Sequence, residues 1–253
     1  MNETANIALG IDIGGTGIKG ALVDLKTGAL VSDRFRLDTP RPALPAAVAD
    51  TVVAVAAHFD FAGPVGVAFP GVVLDGVVHT AANLHPDWIG ASLAELVGSR
   101  LSGPSVFLND ADAAGLAEAR FGAAKGVSGV VLLVTLGTGI GTAMISDGQL
   151  VPNSEFGHLE LDGLDAETYA AASARKRNNH TWEEWAGHAE HYLKYLERLV
   201  WPKLFVLGGG ITKNPELWLH YLKPRTPIVL ATNINNAGII GAAAAAAQTQ
   251  QAG

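Results

Sequence analysis

The sequence predicts an α/β fold with two lobes around a cleft. Strand-like and helix-like segments alternate along the chain, which is the pattern of α/β proteins. A length of 253 residues suffices for one large domain or two small ones. One glycine-rich strand-turn-strand pattern occurs twice. Because residues 1–110 are rich in strands and a helical segment follows, we expect the first lobe to end near residue 110.

The individual elements follow from local patterns. Apolar, β-favouring runs predict strands, and longer segments with helical spacing or many alanines predict helices. The run "IKGALVDLKTGALV" predicts a strand, a turn at residues 26–28 and a further strand. Other strands are predicted over residues 7–13, 65–71, 105–110, 130–137 and 203–210, and helices over 43–59, 111–122, 182–201 and the alanine-rich tail 242–247.

Composition indicates a globular protein. Hydrophobic residues make up 49% of the chain and charged residues 16%, which argues against disorder. No stretch of roughly 18 apolar residues occurs, and residues 1–10 do not resemble a signal peptide, so we expect a cytoplasmic protein with no membrane contact. The absence of cysteine excludes disulfides, thiolate catalysis and cysteine-ligated zinc.

Charge is distributed unevenly along the chain. The net charge is −7, yet residues 171–225 carry 9 Lys and Arg against 5 Asp and Glu. An acidic protein of this kind binds nucleic acid poorly, so we expect no nucleic-acid partner. The basic stretch has two interpretations, a solvated surface or a site for a smaller polyanion.

The segment "GTGIKG" at residues 15–20 has the glycine spacing of a dinucleotide-binding turn. In that fold the glycines open a helix that faces the pyrophosphate, whereas here they lie between two predicted strands. No Gly-Lys pair occurs in the chain, so the P-loop pattern is absent as well. A glycine hairpin nevertheless lets backbone N–H groups approach a phosphate closely, and Asp12, Thr16 and Lys19 surround this bend.

A second copy of the pattern lies in "VTLGTGIGTAMISDGQL", where Thr135 corresponds to Asp12 and Gly137 to Gly14. Two such hairpins in two lobes would face each other across a cleft and hold a phosphate chain from both sides. The candidate phosphate-binding residues are Asp12, Gly14, Gly15, Thr16, Lys19, Thr135, Gly137, Thr138 and Gly139.

Five motifs together resemble the ROK family of sugar kinases and repressors. They are "DIGGTGIKGALVD", "LND" at 108–110, "LGTGIG" at 136–141, "EFGH" at 155–158 and "NNAGIIGAAAAA" near the C-terminus, in the family's order over nearly the whole chain. The resemblance implies the actin-like (ribonuclease H-like) sugar-kinase fold, with two α/β lobes and a central cleft. It also implies that a C-terminal helix over 237–250 completes the N-terminal lobe, that the second lobe spans 111–236, and that the protein is a homodimer.

Asp110 is the candidate catalytic residue. It ends an apolar strand and precedes a helix, a place where α/β folds bind ligands and where an Asp is also a common helix N-cap. The resemblance favours catalysis, because the Asn-Asp pair of ROK kinases holds the sugar and supplies the base for its 6-hydroxyl. By the same resemblance the sugar-binding residues are Asn83, Asn109, Asp110, Glu155, His158 and Glu167.

Each of these residues also has a purely structural interpretation. From the sequence alone, Asn83 is consistent with a turn asparagine, Glu155 with a solvated surface carboxylate, and His158 with a hydrogen-bonded core histidine. The aromatic helix with Trp182, Trp185, Tyr192 and Tyr195 offers either an interface or part of the core.

The chain departs from many ROK kinases after His158. The ATP-dependent members carry a cysteine-rich zinc motif there, whereas this chain continues "LELDGLDAETY", so we expect no zinc. Members without the cysteines are the polyphosphate glucokinases, including glucomannokinases, and their "TPRP"-type segment occurs here at residues 39–42. The resemblance implies transfer of the terminal phosphoryl group of inorganic polyphosphate or ATP to glucose, with mannose as a second acceptor.

Donor and metal binding follow from the same resemblance. A triple glycine resembles the segment that approaches adenosine, which keeps ATP open as a donor. Phosphoryl transfer implies Mg²⁺, with Asp12 as its candidate ligand through water. A long polyanion would also contact a basic track. The triple glycine is Gly208, Gly209 and Gly210, and the candidate track is Arg175, Lys176 and Arg177, extended by Lys203 and Arg41.

Other functions remain open on the sequence alone. A repressor needs a helix-turn-helix module, which we do not expect because the first strand begins near residue 6. A catalytically silent sugar-binding protein would lack the base or the phosphate loops, and both are present. Among kinases, an ATP-only ROK hexokinase is the alternative, and an N-acetylmannosamine kinase is less favoured.

Overall fold

The computed structural model describes residues 6–81, 84–233 and 235–249. The strands are β1 (Ile7–Ile13), β2 (Gly17–Asp24), β3 (Phe35–Asp38), β4 (Val65–Phe69), β5 (Val73–Leu74), β6 (Val77–Val78), β7 (Ser105–Asn109), β8 (Val130–Leu136), β9 (Ile140–Ser146), β10 (Gln149–Val151), β11 (Glu160–Leu161), β12 (Leu164–Asp165), β13 (Leu204–Gly208) and β14 (Ile228–Leu230). The helices are α1 (Pro45–Ala57), α2 (Leu93–Leu96), α3 (Asp110–Phe121), α4 (Glu167–Ala170), α5 (Ala172–Arg177), α6 (Trp182–Val200) and α7 (Ala237–Thr249). Within these ranges no helix has the length and apolar character that crossing a membrane requires.

Two five-stranded mixed sheets share one topology. The first has the order β3-β2-β1-β4-β7 and the second the order β10-β9-β8-β13-β14. The central strand of the first sheet, β1, pairs antiparallel with β2 and parallel with β4. The central strand of the second sheet, β8, pairs antiparallel with β9 and parallel with β13 in the same way. The glycine bends lie at the same place in both sheets, between β1 and β2 and between β8 and β9. The predicted α/β class and the repeated glycine hairpin are therefore confirmed.

One predicted strand is wrong. The strand expected after the turn at residues 26–28 is reduced to a single bridge between Val23 and Leu30. The backbone N–H of Leu22 donates to the hydroxyl of Ser32 (3.0 Å) rather than to a carbonyl, so a side chain replaces the next rung of the ladder. The chain then pairs with β2 again through β3.

Each sheet packs against a helix of its own half. Val48, Val52 and Val55 of α1 are buried against the first sheet. In α6, Trp185 and Tyr192 are fully buried against the second sheet. These two side chains belong to the core, whereas Trp182 and Tyr195 of the same helix are only partly buried, so an interface on this helix stays a prediction.

Helices α3 and α7 form two layers between the sheets. Helix α7 packs against β1 and β4, and α3 packs against α7 and β9. Glycine allows the close crossing: a Cβ on Gly241 would lie 1.6 Å from the carbonyl oxygen of Ala113, and one on Gly66 would lie 1.8 Å from that of Ala242. This packing supports the proposal that α7 completes the N-terminal lobe, and the boundary at residue 110 stays a prediction.

We predict that Gly241→Ala destabilises the protein by about 3 kcal/mol, because the new methyl group would meet backbone that cannot rotate away. Urea denaturation measures the change. An unchanged midpoint would contradict the α3–α7 crossing.

Gly187→Ala is the matched control. Gly187 is exposed in the middle of α6, and a Cβ there has no neighbour within 4 Å. The same substitution should therefore stabilise the protein by about 1 kcal/mol through helix propensity.

Candidate active site

A cavity of about 760 Å³ lies between the two sheets, and both glycine bends line it. It opens at the carboxyl ends of β1, β4, β7 and β8, the edge at which α/β proteins bind ligands. The lining includes residues that the sequence did not predict as part of a site, among them Pro70, Gly71, Thr80 and Thr142. The predicted site residues that line it are Asp12, Gly14, Gly15, Thr16, Asn109, Asp110, Thr135, Gly137, Thr138, Gly139, Glu155, His158, Glu167 and Gly209.

The first bend, between β1 and β2, is fixed by residues that the sequence did not indicate. Thr39, in the "TPRP" segment, donates its hydroxyl hydrogen to the carbonyl of Gly14 (2.5 Å). The guanidinium of Arg36 donates to the carbonyl of Thr16 (2.7 Å). These two side chains lie outside the cavity and hold the bend in place by hydrogen bonds to its carbonyl groups.

Asp12 and Lys19 form an ion pair beside this bend. Lys19 Nζ lies 3.0 Å from Asp12 Oδ2, and Asp12 also packs against Gly238 in the first turn of α7. Asp12 lines the cavity, whereas Lys19 lies behind it and reaches the site through this pair. The phosphate-binding role predicted for Lys19 therefore requires its side chain to leave Asp12.

The second bend, between β8 and β9, is held from the other side. Ser173, at the start of α5, donates its hydroxyl hydrogen to the carbonyl of Thr138 (2.6 Å). Glu167 Oε2 accepts the backbone N–H of Ile140 (2.9 Å). Glu167, which was predicted to bind sugar, therefore holds the second glycine bend and also lines the cavity.

Asn109 caps α3, and Asp110 is left facing the cavity. Asn109 Oδ1 accepts the N–H groups of Ala111 (2.8 Å) and Asp112 (3.0 Å), and Asn109 Nδ2 donates to the carbonyl of Gly71 (3.2 Å). Asp110 accepts the N–H of Ala111 (2.8 Å) and remains accessible from the cleft. The N-cap of α3 is therefore Asn109 and not Asp110. The contact of Asn109 with sugar stays a prediction.

Glu155 and His158 form the opposite wall. Both are exposed, so the alternative of a core histidine is wrong. His158 Nδ1 lies 3.1 Å from Asp165 Oδ2 in β12, and this hydrogen bond raises the pKa of His158. The segment "ELDGLDAE" therefore positions His158 through a carboxylate.

The remaining predicted residues have different surroundings. Asn83 lies outside the described residues. Gly208 lines a smaller cavity of about 150 Å³ that adjoins the main one, together with Gly209. Gly209 has a φ of 85°, and a Cβ there would meet the backbone of Leu136. Gly210 lines neither cavity.

Two of the three residues of the predicted basic track already contact other groups of the chain. The guanidinium of Arg175 stacks on Trp182, 3.9 Å from the ring centroid, and Arg177 donates to the carbonyl of Thr168 (2.6 Å). Lys176 is exposed, and within the described part of the chain its side chain has no hydrogen bond or ion pair.

One extension of the track is wrong. Lys203 packs against Gly129, before β8 begins, whereas the cavity lies where β8 ends. The length of β8 separates Lys203 from the site.

Carboxylates dominate the electrostatics of the cavity. Burial in the cleft, then the negative charges of Asp12 and Glu155, raise the pKa of Asp110 to about 7. A carboxylate with this pKa accepts a proton near neutral pH far better than an ordinary aspartate. The arrangement thus places a proton acceptor between two glycine bends and a polar wall.

Known proteins are similar to this chain in sequence and in fold. A model of the ROK family matches residues 8–173. The polyphosphate glucokinase of Mycobacterium tuberculosis (strain CDC 1551 / Oshkosh) is 51% identical over 243 residues, which cover 96% of this chain and 92% of the relative.

Two solved structures are similar over almost their full length. The inorganic polyphosphate/ATP-glucomannokinase from Arthrobacter sp. strain KM has a TM-score of 0.90 and 52% identity, covering 96% of this chain and 99% of that chain. A ROK family glucokinase from Streptomyces griseus in complex with glucose and AMPPNP has a TM-score of 0.81 and 28% identity, with the same coverage.

The fold and the cavity define a class of α/β protein with a carboxylate-bearing cleft between two sheets of equal topology. The chain belongs to the ROK family.

We predict that Glu155→Gln lowers the pKa of Asp110, because it removes a neighbouring negative charge. The measurement is a carboxyl ¹³C NMR titration, with the Asp110 signal assigned by its loss in Asp110→Asn. In the parent protein this signal should titrate near pH 7.

Glu160→Gln, at an exposed carboxylate of β11, is the matched control and should leave the titration unchanged. A parent pKa of about 4, the ordinary aspartate value, would contradict the electrostatic account, as would an unshifted Asp110 signal in Glu155→Gln.

Proposed function

We propose that this protein is a kinase that transfers the terminal phosphoryl group of inorganic polyphosphate, or of ATP, to the 6-hydroxyl of glucose, with mannose as a second acceptor. The observation that carries the proposal is the place of Asp110, between two glycine bends and a wall of polar side chains in one cavity. The polyphosphate glucokinase and glucomannokinase relatives add support at about half identity over 96% of the chain.

Asp110 is the proposed base. An acceptor hydroxyl must be oriented in line with the phosphorus, and a carboxylate then takes its proton. A pKa near 7 leaves about half of the Asp110 carboxyl groups ionised at neutral pH, so the group can both take the hydroxyl proton and hold it once it has been taken. The hydrogen bond from Ala111 and the helix start fix its carboxylate.

The sugar would contact the wall opposite the bends. Glu155 and His158 offer an acceptor and a donor to neighbouring hydroxyls, and His158 is oriented by Asp165. We also assign sugar contacts to Asn109, which lines the cavity, and, on the family resemblance alone, to Asn83. Glu167 would link the two subsites, because it lines the cavity and holds the second bend.

The donor would lie between the bends. Both bends lack bulky side chains at Gly14, Gly15, Gly137 and Gly139, so backbone N–H groups can approach phosphate oxygens. Thr16 and Thr138 add hydroxyl groups, and Lys19 adds a positive charge when it leaves Asp12. Gly208 and Gly209, at the adjoining cavity, with Gly210 beyond them, would accept the adenosine of ATP.

Mg²⁺ fits the oxygen donors of this cavity. The carboxylate of Asp12 and the hydroxyl of Thr135 both line it, and hard oxygen ligands are those that Mg²⁺ prefers. Among the described residues no cluster of three or more His, Asp or Glu side chains would enclose a metal. Asp12 would therefore hold the ion together with water and the donor. When bound, Mg²⁺ neutralises the charge of the transferring group. The homodimer implied by the family stays a prediction.

We predict that the protein phosphorylates glucose with Mg²⁺ and long-chain polyphosphate, and that Asp110→Asn lowers kcat by about 10²–10⁴. Glucose 6-phosphate is measured with polyphosphate or ATP as the sole donor. Asp60→Asn, at an exposed turn after α1, is the matched control and should retain full activity.

The outcomes separate the candidate functions. Activity with ATP alone would favour the ATP-only hexokinase, and glucose binding without turnover would favour a silent sugar-binding protein. Full activity of Asp110→Asn would contradict the assigned base.

A polyphosphate chain longer than the cleft would continue along α5. Ser173 ties the start of α5 to the second bend, so Lys176 and Arg177 lie about one helical turn from it. Exposed cations there would attract successive phosphates of the chain.

We predict that Lys176→Ala combined with Arg177→Ala raises the KM for long-chain polyphosphate and weakens its dependence on salt, by roughly 0.7 in the logarithmic slope for each lost contact. The KM for ATP should not change. Lys203→Ala, at the opposite end of β8, is the control. An unchanged KM for long chains would contradict this track.

A further inference from the structure

Asp112 is a buried carboxylate that the proposed chemistry does not use. It lies in the first turn of α3 and is 1% exposed. Its Oδ2 accepts the backbone N–H of Asn153 (2.7 Å), whereas its Oδ1 has no hydrogen-bond partner within the described part of the chain. Burial raises the pKa of Asp112 to about 7. Burial of a carboxyl group costs free energy unless the group is hydrogen-bonded, and Asn153 supplies the hydrogen bond to Asp112.

Asn153 links the segment after β10 to the β5–β6 hairpin. It follows β10 of the second sheet, yet its carboxamide pairs with β5, which follows β4 of the first. Val73 N donates to Asn153 Oδ1 (3.3 Å), and Asn153 Nδ2 donates to the carbonyl of Val73 (3.1 Å). The φ of Asn153 is 58°, in the left-handed region that Asn tolerates better than most residues. Asp112 accepts the backbone N–H of this same residue.

The segment after Asn153 is anchored to β9. Phe156 N donates to the hydroxyl of Thr142 (3.1 Å), the hydroxyl of Ser154 donates to the carbonyl of Thr142 (3.3 Å), and the Thr142 hydroxyl donates to the carbonyl of Ser154. Glu155 lies between these anchors and lines the cavity. Thr142 therefore anchors the residues on both sides of Glu155, and the Asp112–Asn153 contact holds the chain one residue before Ser154.

We propose that Asp112 is a positioning residue: through Asn153 it places Glu155 against the sugar and joins the sugar-binding wall to the β5–β6 hairpin. The proposal rests on the proposed function, in which Glu155 contacts glucose. Asp112 does not line the cavity, and within the described residues Asn153 is the hydrogen-bond partner of its side chain. Its loss should weaken glucose binding and leave the donor site, built on the glycine bends, unaffected.

Asp112→Ala removes the acceptor of a buried N–H group and frees Asn153. The KM for glucose should rise on the order of tenfold, while kcat at saturating glucose stays within about twofold and the donor KM is unchanged. Asp112→Asn should restore the glucose KM, because its amide oxygen can accept the same hydrogen bond. A merely structural role would not produce this split between the two substrates.

Asn153→Gly tests the other half of the link. Glycine tolerates the left-handed φ but lacks the carboxamide that pairs with Val73. The glucose KM should rise as in Asp112→Ala, and the double variant should be little worse than either single one, because both remove one link. Additive effects would overturn the coupling.

Glu197→Ala controls for general loss of stability. Glu197 is also a buried carboxylate that accepts a backbone N–H, from Thr226, but it lies in α6 away from the cavity. Its glucose KM should equal that of the parent. If Asp112→Ala is folded with an unchanged glucose KM, or raises both substrate KM values equally, the proposal is overturned.

Glucose titration calorimetry and amide exchange separate this proposal from the proposed function. A parent protein that neither binds nor phosphorylates glucose refutes the function. The link itself is then tested by hydrogen exchange at the Asn153 amide, which should be slow in the parent and fast in Asp112→Ala. Equal exchange in the two proteins would overturn the link.

Discussion

The hydrogen bonds at the start of α3 are the constraint on which the rest of the site depends. The Asn109 carboxamide accepts two N–H groups of the first turn and donates to Gly71, so β7, α3 and the loop after β4 meet at one residue. An N-cap of this kind contributes about 1 kcal/mol to stability. Its larger effect is geometric, because it turns the next side chain, Asp110, into the cleft and the following buried one, Asp112, toward Asn153.

The same helix is packed between the two halves of the molecule. Helices α3 and α7 cross closely at Gly241, and Gly115 of α3 lies against Ala143 of β9. A residue on the first turn of α3 therefore faces both glycine bends at once. The approach of negative groups from both halves, Asp12 from the first and Glu155 from the second, is what raises the pKa of Asp110 beyond the effect of burial.

Much of this arrangement follows from the sequence because its signals are local. The strands flanking each glycine bend, the helix after Asp110 and the amphipathic α6 all arise from patterns within about 20 residues. The repeat of the bend indicated two halves of equal construction, and the two sheets have that equality. The aromatic residues of α6 were ambiguous, since a stripe of this kind suits both a core and an interface until a partner surface is known.

What the sequence could not indicate are contacts between residues far apart in the chain. Arg36 and Thr39 hold the first bend, and Ser173 holds the second. No local sequence pattern indicates these contacts, because such residues are common in any loop or strand. The extension of the basic track to Lys203 failed for the same reason, because the sequence does not indicate that Lys203 lies beside Gly129, at the end of β8 far from the cavity. The pairing of Asn153 with Val73, 80 residues away, had no signal in composition or spacing.

The central claim is that Asp110 meets the acceptor hydroxyl at the junction of the two halves. A crystal structure of the protein with glucose bound tests it most directly. We expect the glucose 6-hydroxyl within hydrogen-bond distance of the Asp110 carboxylate, with Glu155 and His158 on the ring hydroxyls and the 6-hydroxyl facing the glycine bends. Glucose bound outside this cavity, or with its 6-hydroxyl turned away from Asp110, would show that Asp110 is not the base.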